Sequence, residues 1–393
     1  MKQKIWQAVD KIAPELIELS DWMYHNPEIG HQEFESSKRL VELLEKHGFE
    51  VEYPYGGMAT AFRAEYDTGE EGPTIAILAE YDALPGIGHG CGHNIIGTGG
   101  VGAAIAFKES VPSFKGKLVM LGSPAEEGAV DNAGGKVLLV QAGAFEDIDA
   151  AIMFHPSNEN KLGSTSNARY AMEIVFTGRT SHAAGAPWDG INALDAAIQT
   201  FNGFNALRQH VTPDVRIHGV ITEGGLAPNI VPDRAVIRMY VRAADSNYLM
   251  EVVEKVKNCA RAGALAAGAE VSIRKTANTY KNMVNNKVLS EVFKNNVEAL
   301  GSTIEPAGSR GGGSTDMADV SHEIPGIHPY IGITTEKVIG HSTDMADATV
   351  KEAGHKGLVL AAKTLACTAY DLFNEPEIIA AAKAEFADWK ANQ

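Results

Sequence analysis

Cysteine is scarce in this chain: Cys91, Cys259 and Cys367 are the whole supply. An odd, sparse set makes no disulfide framework and points to a reducing compartment, so a cytoplasmic location is expected. Positive charge is short as well. A formal net charge of -16 leaves no broad basic surface for nucleic acid or anionic lipid. No apolar run approaches the length needed to cross a bilayer, so no membrane partner is expected. Met1 to Met23 reads as an amphipathic helix, with Ile5, Val9, Ile12, Leu16 and Leu19 at spacings of three and four. Glu15, Glu18 and Asp21 interrupt it, so no signal-peptide core is expected there. The Gly-x-Ser-x-Gly elbow is missing too, which removes the main signature of a serine hydrolase.

What remains is an ordinary globular composition, 45% hydrophobic and 21% charged. At 393 residues the chain exceeds one typical core, and two domains are expected. The first part alternates helix and strand. Helices are expected at Ser36 to His47 (with Gly48 as a stop), Asn94 to Lys108 and Val137 to Ala142. Strands are expected at Thr60 to Tyr66, Thr74 to Ala79, Lys117 to Leu121 and Ala150 to Phe154. Such alternation implies an α/β fold with a mainly parallel sheet covered on both faces.

From about Asn167 the pattern changes. Strands at Tyr170 to Thr177, Arg216 to Thr222, Ala235 to Arg242 and Glu270 to Lys275 enclose long helices at Gly190 to Arg208 and Asn247 to Ala267. This reads as an inserted two-layer α+β domain over 168–281, with 1–167 and 282–393 forming the α/β domain. The return includes a glycine-rich turn, Gly311-Gly312-Gly313, and a final helix from Val350 to Phe373.

Three of the early strands run into chemistry: into Glu80-Tyr81-Asp82, Glu126-Glu127 and His155-Pro156. Ligands of open α/β sheets bind outside the carboxyl ends of the strands. Cys91 and His93 lie two residues apart in the glycine-rich stretch Gly88-His89-Gly90-Cys91-Gly92-His93-Asn94. With Glu126-Glu127, His155 and His341 they supply the thiolate, imidazole and carboxylate donors of a zinc-like ion, where magnesium or calcium would take oxygen alone. Two adjacent carboxylates allow one to bind metal and the other to act as general base. Asp82 either caps the turn before Pro85 or orients a ligand histidine.

Each candidate has a bland counterpart. Of thirteen histidines, His25, His31, His47, His210, His218, His322, His328 and His355 are by default surface or hydrogen-bonded structural residues. Cys91 alone would be a small buried hydrophobe; His93 beside it favours the thiolate. Gly97-Thr98-Gly99-Gly100-Val101-Gly102 formally matches a dinucleotide fingerprint, yet no apolar strand immediately precedes it, so the glycines are expected to serve helix packing.

The chain resembles the metal-dependent amidohydrolases of the aminoacylase/carboxypeptidase peptidase family, in the Cys-x-His branch that includes hippurate and auxin-conjugate hydrolases. The resemblance runs through His25-Asn26-Pro27-Glu28-Ile29-Gly30, Asp82-Ala83-Leu84-Pro85, Gly90-Cys91-Gly92-His93, Pro124-Ala125-Glu126-Glu127, Ser181-His182, Asn229-Ile230-Val231-Pro232 and Gly340-His341-Ser342. Tyr81 to His89 and Gly313-Ser314-Thr315-Asp316 look most like the subgroups that cleave β-alanyl dipeptides and p-aminobenzoyl-glutamate. Asn94 departs from the Asp of many auxin-conjugate members.

The resemblance implies a zinc-peptidase-like three-layer catalytic domain with an inserted lid and dimerisation domain. It also implies two divalent ions, zinc or manganese, bridged by Cys91, with His93, Glu127, His155 and His341 as the other ligands. Glu126 would be the general base and Asp82 the orienting group. His182 would reach the site of the partner in a homodimer, and Asn229 and Arg242 would hold the substrate, an N-acyl amino acid or dipeptide. The rival expectations are an inactive binding relative of the same fold and, resting on Gly97 to Gly102 alone, a nucleotide-dependent oxidoreductase.

Overall fold

The computed structural model describes residues 1–308 and 313–393. Gly311 and Gly312 of the expected glycine-rich turn lie outside them. Two compact units emerge, one of 1–165, 283–308 and 315–393, the other of 166–282 with 313–314.

In the first unit, α1 (Lys2–His25) buries Ile5, Val9, Ile12, Leu16 and Met23, one stripe at helical spacing. The next helix, α2 (Phe34–Lys46), is held at its start by Glu28, whose carboxylate accepts from the backbone N–H of Glu35 at 3.1 Å and of Ser36 at 2.7 Å. Gly48, with φ of +76°, ends it by bonding back to the Glu45 carbonyl. Strands β1 (Glu50–Glu52), β2 (Phe62–Asp67) and β3 (Thr74–Glu80) follow, then α3 (His93–Ser110), β4 (Lys117–Ser123), α4 (Gly135–Gln141), β5 (Ala150–Ile152) and β6 (His155–Ser157). The strand expected over Ala150 to Phe154 is therefore interrupted. After Ile152 the chain leaves the main sheet, and at His155 it begins a separate two-stranded ladder.

The second unit is built from β7 (Ala168–Thr177), α5 (Ala193–Leu207), β8 (Arg216–Glu223), β9 (Arg234–Ala243), α6 (Ser246–Ala267) and β10 (Glu270–Lys275). The strands form one antiparallel sheet in the order β10-β7-β9-β8. Tyr170, Met172, Ile174 and Phe176 alternate into a core shared with Ala196, Phe204, Val252 and Val256 of the two helices. Asn192 and Asp245 cap the helix starts, and Gly268 with φ of +70° closes α6.

The first unit resumes with α7 (Lys287–Ala299), α8 (Met317–Ser321), β11 (Gly326–Ile327), β12 (Tyr330–Gly332), α9 (Thr343–Thr349), α10 (Glu352–Asn374) and α11 (Pro376–Ala391). The helix expected from Val350 to Phe373 is thus not the last. The sixteen-residue α11 follows it, with Ile379 and Ala382 buried.

The main sheet runs β1-β2-β4-β3-β5-β11. The pairs β3/β4, β3/β5 and β5/β11 are parallel, while β1 and β2 add an antiparallel edge. Successive residues of β3 serve opposite layers: Ile75, Ile77 and Ala79 pack with α1, α3 and α10, and Ala76 and Leu78 with α4 and α8. Helix α3 is buried along nearly its whole length, and its glycines are spent on packing. A Cβ on Gly102 would stand 2.3 Å from Leu16 Cδ1, and one on Gly99 2.9 Å from Phe154 Cζ. No helix among the described residues is long and apolar enough to cross a membrane.

Candidate active site

The carboxyl ends of β3 and β4, the amino end of α3 and the start of β6 converge in the first unit. Gly92, with φ of +73°, turns the chain into α3; a Cβ there would stand 2.9 Å from Pro156 Cγ. That turn sets Cys91 and His93 beside His155, and the ligand atoms of these three lie within 4.8 Å of one another. The same holds for Cys91, Glu127 and His341, and for His93, Glu126 and Glu127. Cys91 is common to the first two groups. His341, exposed and with φ of +60°, is drawn in by a backbone bond to the Gly90 carbonyl.

Asp82 ties two of these residues together. Its Oδ1 lies 2.9 Å from His93 Nδ1, and its Oδ2 accepts the Glu127 backbone N–H at 2.9 Å. A carboxylate only accepts, so Nδ1 carries a proton; against the cost of burial, Asp82 holds the His93 imidazole well above its ordinary range. His155 is set the same way, its Nδ1 donating to the Pro156 carbonyl at 2.8 Å. Burial, with His93 nearby, pushes the His155 imidazole down to about 4, so the ring is neutral at pH 7. His93 Nε2 and Glu127 Oε1 are buried without a hydrogen-bond partner among the described residues. Burial, then the charges of Glu80 and Glu127, pushes the half-buried Glu126 carboxyl well above its ordinary range. Burial, then Glu127, does the same to the Cys91 thiol. Imidazole nitrogens, a thiol and crowded carboxylates make a set that a divalent cation completes and few other groups would.

Glu33 and Lys136, which the sequence did not single out, and Asp316, named there only within the motif Gly313-Ser314-Thr315-Asp316, support this pocket. Buried Glu33 accepts the Ala125 backbone N–H at 2.8 Å and the Thr60 hydroxyl at 2.9 Å. It thereby fixes a peptide whose Ala125 φ is +54°, the residue before Glu126. Lys136, fully buried, pairs with Glu80 and with Asp316, the latter at 2.6 Å. One ammonium serves two carboxylates. Against the cost of burial it holds Glu80 down to about 2, whereas burial leaves Asp316 above the ordinary range. His328 corrects the default reading given to it. It is buried, its Nε2 has no partner among the described residues, and its ring centre is 5.6 Å from that of His155.

His182, Asn229 and Arg242 belong to the second unit. The exposed His182 accepts backbone N–H groups of Ala184 at 3.2 Å and Gly185 at 2.9 Å on Nδ1, so its Nε2 carries the proton. Asn229, also exposed, is its neighbour through the bond from Ala183 N–H to the Asn229 carbonyl. Arg242, on β9, donates to the Ser314 hydroxyl at 2.9 Å.

A mainly parallel sheet with thiol, imidazole and carboxylate donors gathered next to its strand ends, beside a second glutamate, is the site of a metal-dependent amidohydrolase. The chain belongs to peptidase family M20/M25/M40, whose model matches residues 61–366. It is 37% identical over 401 residues to the Xaa-Arg dipeptidase of Mus musculus, covering 98% of this chain and 92% of that one. To a p-aminobenzoyl-glutamate hydrolase chain of Escherichia coli it is 28% identical, covering 93% and 90%. The fold is shared with a dinuclear metal-binding peptidase of the M20 family from Bacillus subtilis, with a TM-score of 0.70, 22% identity and coverage of 93% and 99%. The activity is therefore hydrolysis of a dipeptide or acyl-amino-acid amide.

Proposed function

We propose that the protein cleaves a β-alanyl-dipeptide or aminobenzoyl-glutamate type of substrate, using two divalent ions held by Cys91, His93, Glu127, His155 and His341. The observation that carries this is the convergence of those five side chains with Glu126 at the strand ends. Cys91, common to two ligand groups, would be the shared ligand. Its thiolate and the imidazoles suit zinc, and the carboxylates admit manganese. Ions bound there supply Lewis acidity, polarising the amide carbonyl and acidifying water.

The rest falls to the chain. Glu126 takes a proton from water and returns it to the leaving nitrogen. Asp82 keeps His93 in the tautomer that presents Nε2. His182, with its proton on Nε2, donates to the developing oxyanion in the partner subunit's site, and Asn229 and Arg242 hold the substrate, the arginine fork on its carboxylate. The inserted domain, 168–281, serves as lid and dimer contact, and the 1–167 and 282–393 segments as the catalytic domain. Three free cysteines suit the cytoplasm. The test is a panel of N-acyl amino acids and dipeptides with zinc- or manganese-loaded protein, read by released amino acid. Bound metal without release from any of them sinks the reading.

Two variants check individual roles. Cys91→Ser is expected to lose most of its metal by elemental analysis, because a neutral hydroxyl between two cations screens their repulsion poorly. Full occupancy in that variant excludes Cys91 as the shared ligand. His182→Ala should keep its metal and lose activity by roughly 10²–10³. Mixed with Glu126→Gln under subunit exchange, it should regain activity, since one site of each mixed dimer then has both groups. Verified mixed dimers without activity exclude a shared site.

A further inference from the structure

Glu126 and Glu127 are adjacent, and each brings a carboxylate oxygen within 4.8 Å of a His93 nitrogen. Side-chain chemistry does not separate a base from a ligand here, so the backbone must. Three successive peptide groups around Glu126 are each tied. The one before Ala125 gives its N–H to Glu33 at 2.8 Å. The next offers the Ala125 carbonyl to the Gly134 N–H at 2.7 Å. The third gives the Glu127 N–H to Asp82 at 2.9 Å. Peptide groups are planar, so these bonds fix the direction in which the Glu126 side chain leaves the chain.

The motif from His25 to Gly30, which no step of the reaction has used, leads into the residues that make this grip. Gly30 is buried against the Glu126 segment, where a Cβ would stand 2.9 Å from Ala125 Cβ and 2.9 Å from Val130 Cγ2. His31 Nε2 donates to the Asn132 carbonyl at 3.0 Å. Glu33 follows, with no exposed surface, one oxygen on the Ala125 N–H and the other on the Thr60 hydroxyl. Burial, then the charge of Asp82, pushes its carboxyl up to about 7, and the bonds it accepts pull the other way. A buried carboxylate beside a second one is a costly way to fill space. What it supplies is a strong acceptor, able to hold Ala125 at φ of +54°, a conformation that an L residue keeps only when its surroundings impose it.

We propose that Glu33 is a positioning residue of the reaction: by holding the Ala125 N–H it sets the backbone from which Glu126 projects, and so keeps the base in place beside its ligand neighbour Glu127. This rests on the hydrolytic reading above, in which Glu126 moves the proton. Without that acceptor Ala125 relaxes out of the left-handed region, and the carboxylate that follows it moves as well. Glu127 keeps its own tie to Asp82, so the metal stays.

Three variants separate reach from charge. Glu33→Ala removes the acceptor, and Glu33→Asp keeps the charge but is one carbon short of Ala125. Glu33→Gln keeps an oxygen for the Ala125 N–H and an amide to meet the Thr60 hydroxyl. Metal-loaded native and variant proteins are to be compared on the N-acyl amino acid or dipeptide that the native enzyme cleaves best. The alanine and aspartate variants are expected to lose about 10–100-fold in kcat, the effect of a small misplacement of a catalytic group, at native KM and native metal content. Glutamine should restore most of the rate lost with alanine. The aspartate variant carries the test should the alanine variant not fold. Native kcat in a folded alanine or aspartate variant, or a glutamine variant as slow as alanine, overturns the proposal. So does loss of metal together with activity, which would make Glu33 a support of the ligand and not of the base. A second readout needs no turnover. Hydrogen exchange at the Ala125 amide should be at least about tenfold faster in the alanine and aspartate variants, the worth of a hydrogen bond to a charged group, and near native with glutamine. Faster exchange there, with no substrate cleaved by the native enzyme, leaves the grip standing and removes the hydrolytic reading. Exchange that does not depend on Glu33 removes the grip.

Discussion

Glu126→Gln is expected to bind metal as the native enzyme does and to turn over roughly 10²–10⁴-fold more slowly. The amide keeps the shape of the carboxylate but cannot accept a proton from water. The environment already shows what Glu126 is suited for: burial and the charges of Glu80 and Glu127 raise its carboxyl well above the ordinary range, so it holds a proton more readily than a surface carboxylate. Glu127→Gln should behave differently. Glu127 is placed by the bond from its own N–H to Asp82, its Oε1 is buried without a partner among the described residues, and its carboxylate lies within reach of Cys91 and His341. Its loss should remove metal and activity together. Elemental analysis beside kcat for the two variants decides between them. Equal metal content in both would erase the division of labour between base and ligand.

The parts of the site that could be read from the chain are those fixed by local geometry. Cys91 and His93 are two residues apart at the opening of a helix, so no long-range fold is needed to bring them together. Glu126-Glu127 and His155 follow apolar β runs, and the end of a strand in an α/β sheet has a known side. The supporting residues were out of reach for the opposite reason. Lys136 meets Asp316 across 180 residues and Glu80 across 56. Glu33 meets Ala125 across 92. Nothing within a few residues of Glu33 separates a buried carboxylate from a solvated one. The same limit shaped the element boundaries. The β5 run reads as one apolar strand through Phe154, and only the pairing of His155 with Tyr330 shows that it changes sheets. Helix α11 carries a readable stripe, Ile379, Ala382, Phe386 and Trp389 at spacings of three and four, so its omission was a miss of local pattern and not of long-range contact.

Lys136→Met should destabilise the protein by about 3–5 kcal/mol at neutral pH, the cost of removing one partner from a buried ion pair. The methionine fills most of the space, so the loss is electrostatic: Glu80 and Asp316 are left in the interior with no ammonium between them. The pH dependence has a definite sign. In the native protein, burial opposes ionisation of Glu80, but Lys136 and then His93 hold its carboxyl down to about 2. A depressed carboxylate contributes stability that is present above its unfolded value, about 4.3, and is lost as pH falls from there through about 2. Without Lys136 the burial remains and its largest counterweight is gone, so the Glu80 carboxyl shifts upward. A raised carboxyl favours the folded state below its unfolded value and penalises it as pH rises. The difference between native and variant must therefore widen from pH 5 to pH 8. Adding Asp316→Asn to Lys136→Met should recover part of the loss at pH 8, since it removes one of the two stranded charges. Denaturant titrations of the three proteins at both pH values measure this. A deficit below about 1 kcal/mol, the range of a surface ion pair, or one that is the same at pH 5 and pH 8, would show that Lys136 does not hold the cluster together.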